Sequence, residues 1–214
     1  MVFAHGVNHF EKRKKRRREI QAHSPGRSER QIAPMAHNVR KRSSSSAPRA
    51  TMPAPRGGLT MEMPKPTEEH RRLHALVGEW TGEEKLSPSP WGPGGVALGR
   101  SKCRLDLEGF YVIQDYVEEK DGKVAFSGHG IFGYDTQSKE YCWYWIDSMG
   151  VVPPAASRGQ WEGDTLTFHS KSPQGQGRYV YRFEGERTYH FRIENSFDGG
   201  KTFATFMEGT YRKK

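Results

Sequence analysis

The sequence predicts an all-β fold: a closed antiparallel barrel of about ten strands, entered through one short helix and preceded by a disordered basic tail. Three observations predict it. After residue 60, short apolar runs alternate with turn signals at roughly the 8–12-residue spacing of sandwiches and barrels. Composition splits at the same point, separating a chain that can build a core from one that cannot. Between them, Gly78-Glu79-Trp80 stands where helix should give way to strand, and its Trp is placed to plug one end of a closed barrel.

The split bounds the domains. Residues 1–60 hold 14 Lys and Arg against 3 Asp and Glu, and only 2 of the 25 aromatic residues. Such a segment lacks the apolar bulk to offset the entropy of ordering, so it reads as a disordered Arg-, Ser- and Pro-rich tail. Residues 64–214 are enough for one barrel domain. The overall charge of +9 therefore belongs to the tail. Residues 12–18 (Lys12-Arg13-Lys14-Lys15-Arg16-Arg17-Arg18) are seven consecutive cations, and Arg40-Lys41-Arg42 precedes four serines. These patches fit a weak nucleic-acid contact, an import patch or a transit segment. They equally fit a solvated extension without a role, or a start assigned too early, since Met35, Met52, Met61 and Met63 all precede the domain.

Two cysteines, Cys103 and Cys142, build neither a disulfide scaffold nor a zinc site. They allow one bridge but suit reduced thiols. No apolar run reaches the ~18 residues of a membrane helix, and charge rather than an apolar region follows Met1-Val2-Phe3. A soluble, cytoplasmic protein is the expectation.

The elements follow in order. Thr67 is placed as an N-cap, with Glu68 and Glu69 where the helix dipole favours negative charge. Leu73, Leu76 and Val77 form one apolar stripe, and Gly78 ends the helix. Strand signals then run from Trp80, through Arg104–Leu107 and Phe110–Val117 on either side of Glu108-Gly109, to Val124–Asp135 after Asp121-Gly122. Tyr141–Met149 follows the turn Thr136-Gln137-Ser138-Lys139. Trp161 and Leu166–Phe168 flank Glu162-Gly163-Asp164, and Tyr179–Phe183, Tyr189–Glu194 and Phe203–Arg212 complete the set. The helix-to-strand entry favours a barrel over a sandwich, because closure leaves no exposed edge. Alternation places Tyr179, Tyr181, Phe183, Tyr189, Phe191 and Ile193 inward. Arg178, Arg182, Glu184, His190, Arg192 and Glu194 then face solvent. A solvated helix face is the expectation for His70 and His74, one turn apart and without a third ligand. Arg212 is placed to cover Trp80 as a cation–π partner.

The richest block is residues 126–150. If Tyr134 pairs with Tyr141, then Phe132 pairs with Trp143, Gly130 with Trp145 and Gly128 with Asp147, each pair sharing a face. Strand glycines mark bends or close approach. Trp145 folded over Gly130 would account for one glycine, and a space beside Asp147 for the other. Asp147 is then either a polar anchor in a cavity or a hydrogen-bonded group at a strand end before Gly150. His129 falls on the opposite face with Ile131, Tyr144 and Ile146.

Here the sequence resembles a family. Gly128, Gly130, Gly133-Tyr134-Asp135, Lys139, Tyr141 and Trp145-Ile146-Asp147-Ser148-Met149-Gly150, with Leu76–Gly82 and Tyr211-Arg212-Lys213, are similar to the domain-of-unknown-function family 1579 over roughly residues 64–214. The resemblance implies a lipocalin-like (calycin) barrel and brings no activity or catalytic residue.

The functional expectation is a cavity for a small apolar or planar ligand. Its candidate residues are Trp143, Trp145, Asp147, Gly128, Gly130, Phe132 and Tyr134, with Trp80 and Arg212 as the barrel-closing pair. No cofactor and no metal site is expected. One alternative is an enzyme using the same cavity, with Asp147 as acid or base. Another is a haem-binding, nitrobindin-like barrel, for which His169 and His190 are the candidates. No Ser/His/Asp order is evident, and Gly94-Gly95 reads as a turn because a P-loop's Lys-Ser/Thr is missing.

Overall fold

The computed structural model describes residues 62–89 and 92–214. The tail and its basic run at 12–18 lie outside the described residues. Helix α1 (Glu68–Arg72) starts after Thr67, which is extended, and carries Glu68 and Glu69 in its first turn. It tightens at once into a 3₁₀ turn, Leu73–Leu76. That geometry brings residues three apart into line, so Leu73 and Leu76 point the same way and are both buried.

His70 departs from expectation. Rather than lying on a solvated face it is 4% exposed, edge-on to the rings of Phe110 and Tyr134. The Thr67 N–H donates to its Nδ1 at 3.1 Å, and it also hydrogen-bonds the Tyr134 backbone. The imidazole therefore ties the helix start to the barrel. Burial holds its pKa below the usual histidine value, with Arg71 acting the same way and the Tyr134 bond opposing.

Ten strands follow: β1 (Gly78–Leu86), β2 (Gly95–Asp106), β3 (Tyr111–Lys120), β4 (Lys123–Asp135), β5 (Glu140–Asp147), β6 (Ser157–Glu162), β7 (Thr165–Ser172), β8 (Gly175–Glu184), β9 (Thr188–Ser196) and β10 (Ala204–Lys213). Each pairs antiparallel with its sequence neighbours, and β1 pairs with β10 to close the barrel. The β3–β4 connection is Asp121-Gly122, both at positive φ (53° and 72°), as a two-residue hairpin turn requires. Glu108-Gly109, read from sequence as a tight hairpin signal, does join β2 to the antiparallel β3, within a short 3₁₀ turn at Leu107–Gly109. The wall is least paired between β5 and β6. β5 and β6 share three residue pairs, Tyr141–Gly159, Cys142–Arg158 and Trp143–Ser157, and the outer half of β5 is paired on the β4 side.

The expected alternation holds on β8 and β9: Tyr179, Tyr181, Phe183, Tyr189 and Phe191 are buried inward. One outward residue does not stay in solvent. Glu194 is 6% exposed, gripped by Arg178 at 2.5 Å and Arg192 at 3.3 Å. Cys103 is buried and Cys142 is half-buried, both free thiols on different strands. Among the described residues no helix is long and apolar enough to cross a membrane.

Trp80 sits at the helix-proximal end, 1% exposed. Its Nε1–H donates to the Leu76 carbonyl at 2.8 Å, which satisfies an indole that has no water to turn to. The cation over its ring is Lys213, 5.2 Å from the centroid, and not Arg212. Trp80 pairs directly with Lys213 and Thr81 with Arg212. Arg212 therefore points outward and is exposed.

Candidate functional site

One end of the barrel is filled and the other is open. Trp80, Leu73 and Leu76 pack the end next to α1. A cavity of about 330 Å³ lies toward the opposite end. Its wall is largely aromatic, with Trp143 and Trp145 of β5, Tyr116 of β3, Phe126 of β4, Tyr179 and Tyr181 of β8, and Phe191 of β9. Gln114, Glu118 and Lys120 supply polar groups from β3.

The Trp wall depends on two glycines. The β4–β5 register is the expected one, with Gly128 opposite Asp147, Gly130 opposite Trp145 and Phe132 opposite Trp143. The side chains, however, lean by one pair. A β-carbon at position 128 would sit 2.3 Å from Trp145 Cζ2. One at position 130 would sit 2.6 Å from Trp143 Nε1 and 2.8 Å from Gln114 Oε1. Trp145 therefore lies over Gly128, and Trp143 lies over Gly130. The space expected beside Asp147 is filled by indole. Trp143 is further fixed by Phe132, stacked at 5.5 Å and 7°, and by Tyr179, edge-on at 4.9 Å.

Asp147 takes the strand-end role. It accepts from Trp145 Nε1 at 2.9 Å and from the Met149 N–H at 3.0 Å, while its carbonyl accepts from Gly150 N at 2.9 Å. Its carboxylate orients the cavity's outer Trp and pins the turn. Burial raises its pKa, and the two donated bonds oppose that rise.

Behind the cavity wall lies a buried carboxylate that the sequence reading missed. Glu84 follows Trp80 by four along β1, so it shares the inward face, and it has no solvent exposure. The Tyr116 hydroxyl donates to both of its oxygens, at 2.9 and 2.8 Å. The Tyr211 hydroxyl donates to Oε1. Glycines make the room. A β-carbon at Gly99 would lie 2.2 Å from the Tyr211 hydroxyl and 2.6 Å from Glu84 Oε1, and one at Gly209 would lie 3.1 Å from Glu84 Cγ. Burial pushes the Glu84 pKa from 4.5 up to about 7; the two tyrosine donors pull against it, and nearby Glu118 adds to it. Burial likewise raises the Glu118 pKa, against Lys120.

Of the residues singled out by sequence, Trp143 and Trp145 line the cavity. Gly128 and Gly130 seat them from behind. Phe132 is fully buried in the core beneath Trp143. Tyr134 belongs to the α1 end, beside His70 and Tyr141. Among the described residues no histidine lines the cavity. His129 and His169 are exposed. His129 pairs with Asp115 at 2.8 Å. His190, on the outer wall, meets Thr210 at 3.0 Å and Glu184 at 3.1 Å. Among the described residues, no three His, Cys, Asp or Glu side chains gather as metal ligands.

A wider concavity of about 700 Å³ crosses the outer wall, lined by Arg182, Arg192 and Arg212 but also Glu83 and Glu208. Mixed charge on an open wall is what any solvated sheet face shows.

Comparison with known proteins agrees with the architecture. Rv2717c from M. tuberculosis superposes with a TM-score of 0.54 at 12% identity, over 69% of this chain and 98% of that one. This is a likeness of fold. The S-type phycobiliprotein lyase CPES from Guillardia theta gives a TM-score of 0.48 at 10% identity, over 68% of this chain and 92% of that one. No curated protein matches the sequence. The family described as Protein of unknown function (DUF1579) matches residues 65–213, which span the helix and every strand of the barrel, and the chain belongs to that family.

Proposed function

We propose that this barrel binds a small, largely apolar and planar ligand in its interior. The observation that carries the reading is the 330 Å³ cavity with its aromatic wall and, behind that wall, the hydrogen-bonded Glu84–Tyr116–Tyr211 group. Apolar lining with a few convergent polar groups is the usual make-up of a ligand site. Planar ligands suit it because Trp143 and Trp145 already hold fixed, mutually tilted faces at 5.3 Å. The acid–base alternative would use Asp147, whose carboxylate accepts hydrogen bonds from Trp145 and Met149.

Titrating the full chain with planar hydrophobic probes while following tryptophan fluorescence tests the proposal. Saturable quenching is expected, reduced in Trp143→Phe. A flat response across a broad panel would leave a packed barrel without a ligand.

A further inference from the structure

We infer that the cavity's ligand is a neutral, planar heterocycle of the lactam type, whose C=O accepts from Trp143 Nε1–H while the adjacent N–H donates to Gln114 Oε1. This rests on the cavity being a ligand site and adds the head group of what enters it.

Gln114 of β3 and Trp143 of β5 both line the cavity, and they are 5% and 4% exposed. Gln114 Oε1 and Trp143 Nε1 are each buried without a hydrogen bond, a costly state for a group that has given up water. One atom can only accept and the other can only donate. They also meet at one place. Gly130 faces Gln114 across the β3–β4 ladder, and a β-carbon there would sit 2.6 Å from Trp143 Nε1 and 2.8 Å from Gln114 Oε1. An unpaired donor and an unpaired acceptor thus stand side by side over a bare stretch of backbone.

The Gln114 amide is oriented by its other end. Its Nε2 donates to Ser101 Oγ at 2.9 Å. Burial pushes the Tyr181 pKa up and a hydrogen bond with Gln114 opposes it, as an amide N–H given to the phenol oxygen does. Both amide protons are therefore engaged, and the carbonyl oxygen is the end left to a ligand. Tyr181 and Tyr189 also line the cavity. Their hydroxyls can give or accept, so they suit either edge of a ligand and select neither.

Charge selects for neutrality. Among the described residues, the charged groups lining the cavity are Glu118 and Lys120, both of β3 and opposite in sign. Lys120 is tied to the Gly94 carbonyl at 2.9 Å. Glu84 is closed off behind Tyr116 and Tyr211. An ion carried to Gln114 and Trp143 would give up its hydration to partners that bear no charge. A lactam edge loses two hydrogen bonds to water and regains both from the protein, and its ring is left to pack on the aromatic wall.

Calorimetric titration of the full chain with a set of two-ring probes tests the inference. Carbostyril carries the lactam edge, N-methylcarbostyril keeps the C=O and loses the donor, and quinoline has an acceptor alone. Naphthoate and naphthylmethylamine supply an anion and a cation. Carbostyril is expected to bind at least ~10-fold tighter than N-methylcarbostyril or quinoline, and tighter than either ion. The Trp143 indole N–H resonance, assigned by its loss in Trp143→Phe, should shift when carbostyril binds. Gln114→Met should remove the preference for carbostyril while N-methylcarbostyril still binds. If N-methylcarbostyril or either ion binds as tightly as carbostyril, or the Trp143 signal stays in place, the head-group assignment is overturned and the cavity remains a ligand site. If none of the set binds, both readings fall.

Discussion

The hydroxyl of Tyr116 reaches both carboxylate oxygens of Glu84, at 2.9 and 2.8 Å, from a strand that is not its neighbour. β2 lies between them, and at the crossing it carries Gly99. A long-range polar contact inside a barrel is possible here because the intervening strand has no side chain there.

Glu84 should give the protein an unusual pH dependence. Its folded pKa, about 7, lies above its ordinary 4.5, so the folded state holds the proton more tightly than the unfolded chain. The stabilisation is full below about 4.5 and is lost as pH rises through about 7. The whole effect is roughly 3 kcal/mol. Urea denaturation across this window should show wild type losing stability with rising pH and Glu84→Gln losing much less. Parallel curves for the two proteins would contradict the assignment.

His70 should act in the opposite sense. Burial lowers its pKa from 6.5, so its contribution is present above 6.5 and is lost as pH falls through the folded value. Below 6.5 the two groups oppose one another. In Glu84→Gln the opposing Glu84 component is gone, so that variant should lose more stability than wild type on acidification below 6.5. Adding His70→Gln should reduce that extra loss.

The two glycines behind the Trp wall should differ in cost. Trp145 is only partly buried, so Gly128→Ala displaces a ring that has somewhere to go. Trp143 is 4% exposed and held by Phe132 and Tyr179. Gly130→Ala should therefore cost about 1–3 kcal/mol, as overpacking does, and Gly128→Ala clearly less. Thermal denaturation of the two variants checks the order.

At the plugged end, Lys213→Ala should lower stability by about 0.5–1 kcal/mol through loss of the contact over Trp80. Arg212→Ala, on the outer wall, should leave the midpoint nearly unchanged. The reverse order would restore Arg212 as the partner.

The barrel, its strands and the β4–β5 register were legible in the sequence, because alternation and turn residues are local signals. The choice of Lys213 over Arg212 was legible too, had parity been carried along β10: Tyr211 faces in, so Lys213 must, and Arg212 cannot. Parity from Trp80 also marks Glu84. Its charge hides it, because a charged residue in a strand ordinarily faces water. Other features had no local signal. Which glycine each Trp covers depends on the diagonal lean of the indoles between neighbouring pairs, and the burial of His70 depends on Phe110 and Tyr134 arriving from elsewhere in the chain.

The three-pair junction of β5 and β6 has a consequence for how the molecule moves. The stretch of wall that carries Trp145 is laced on the β4 side only, as are a few other strand ends such as residues 170–172 on the β8 side, while the strand centres are laced on two. Local opening begins where the fewest bonds must break. The amides of Tyr144–Asp147 should then exchange with solvent ahead of the strand stretches that are paired on both sides, and this flank of the cavity can yield while the ring stays closed.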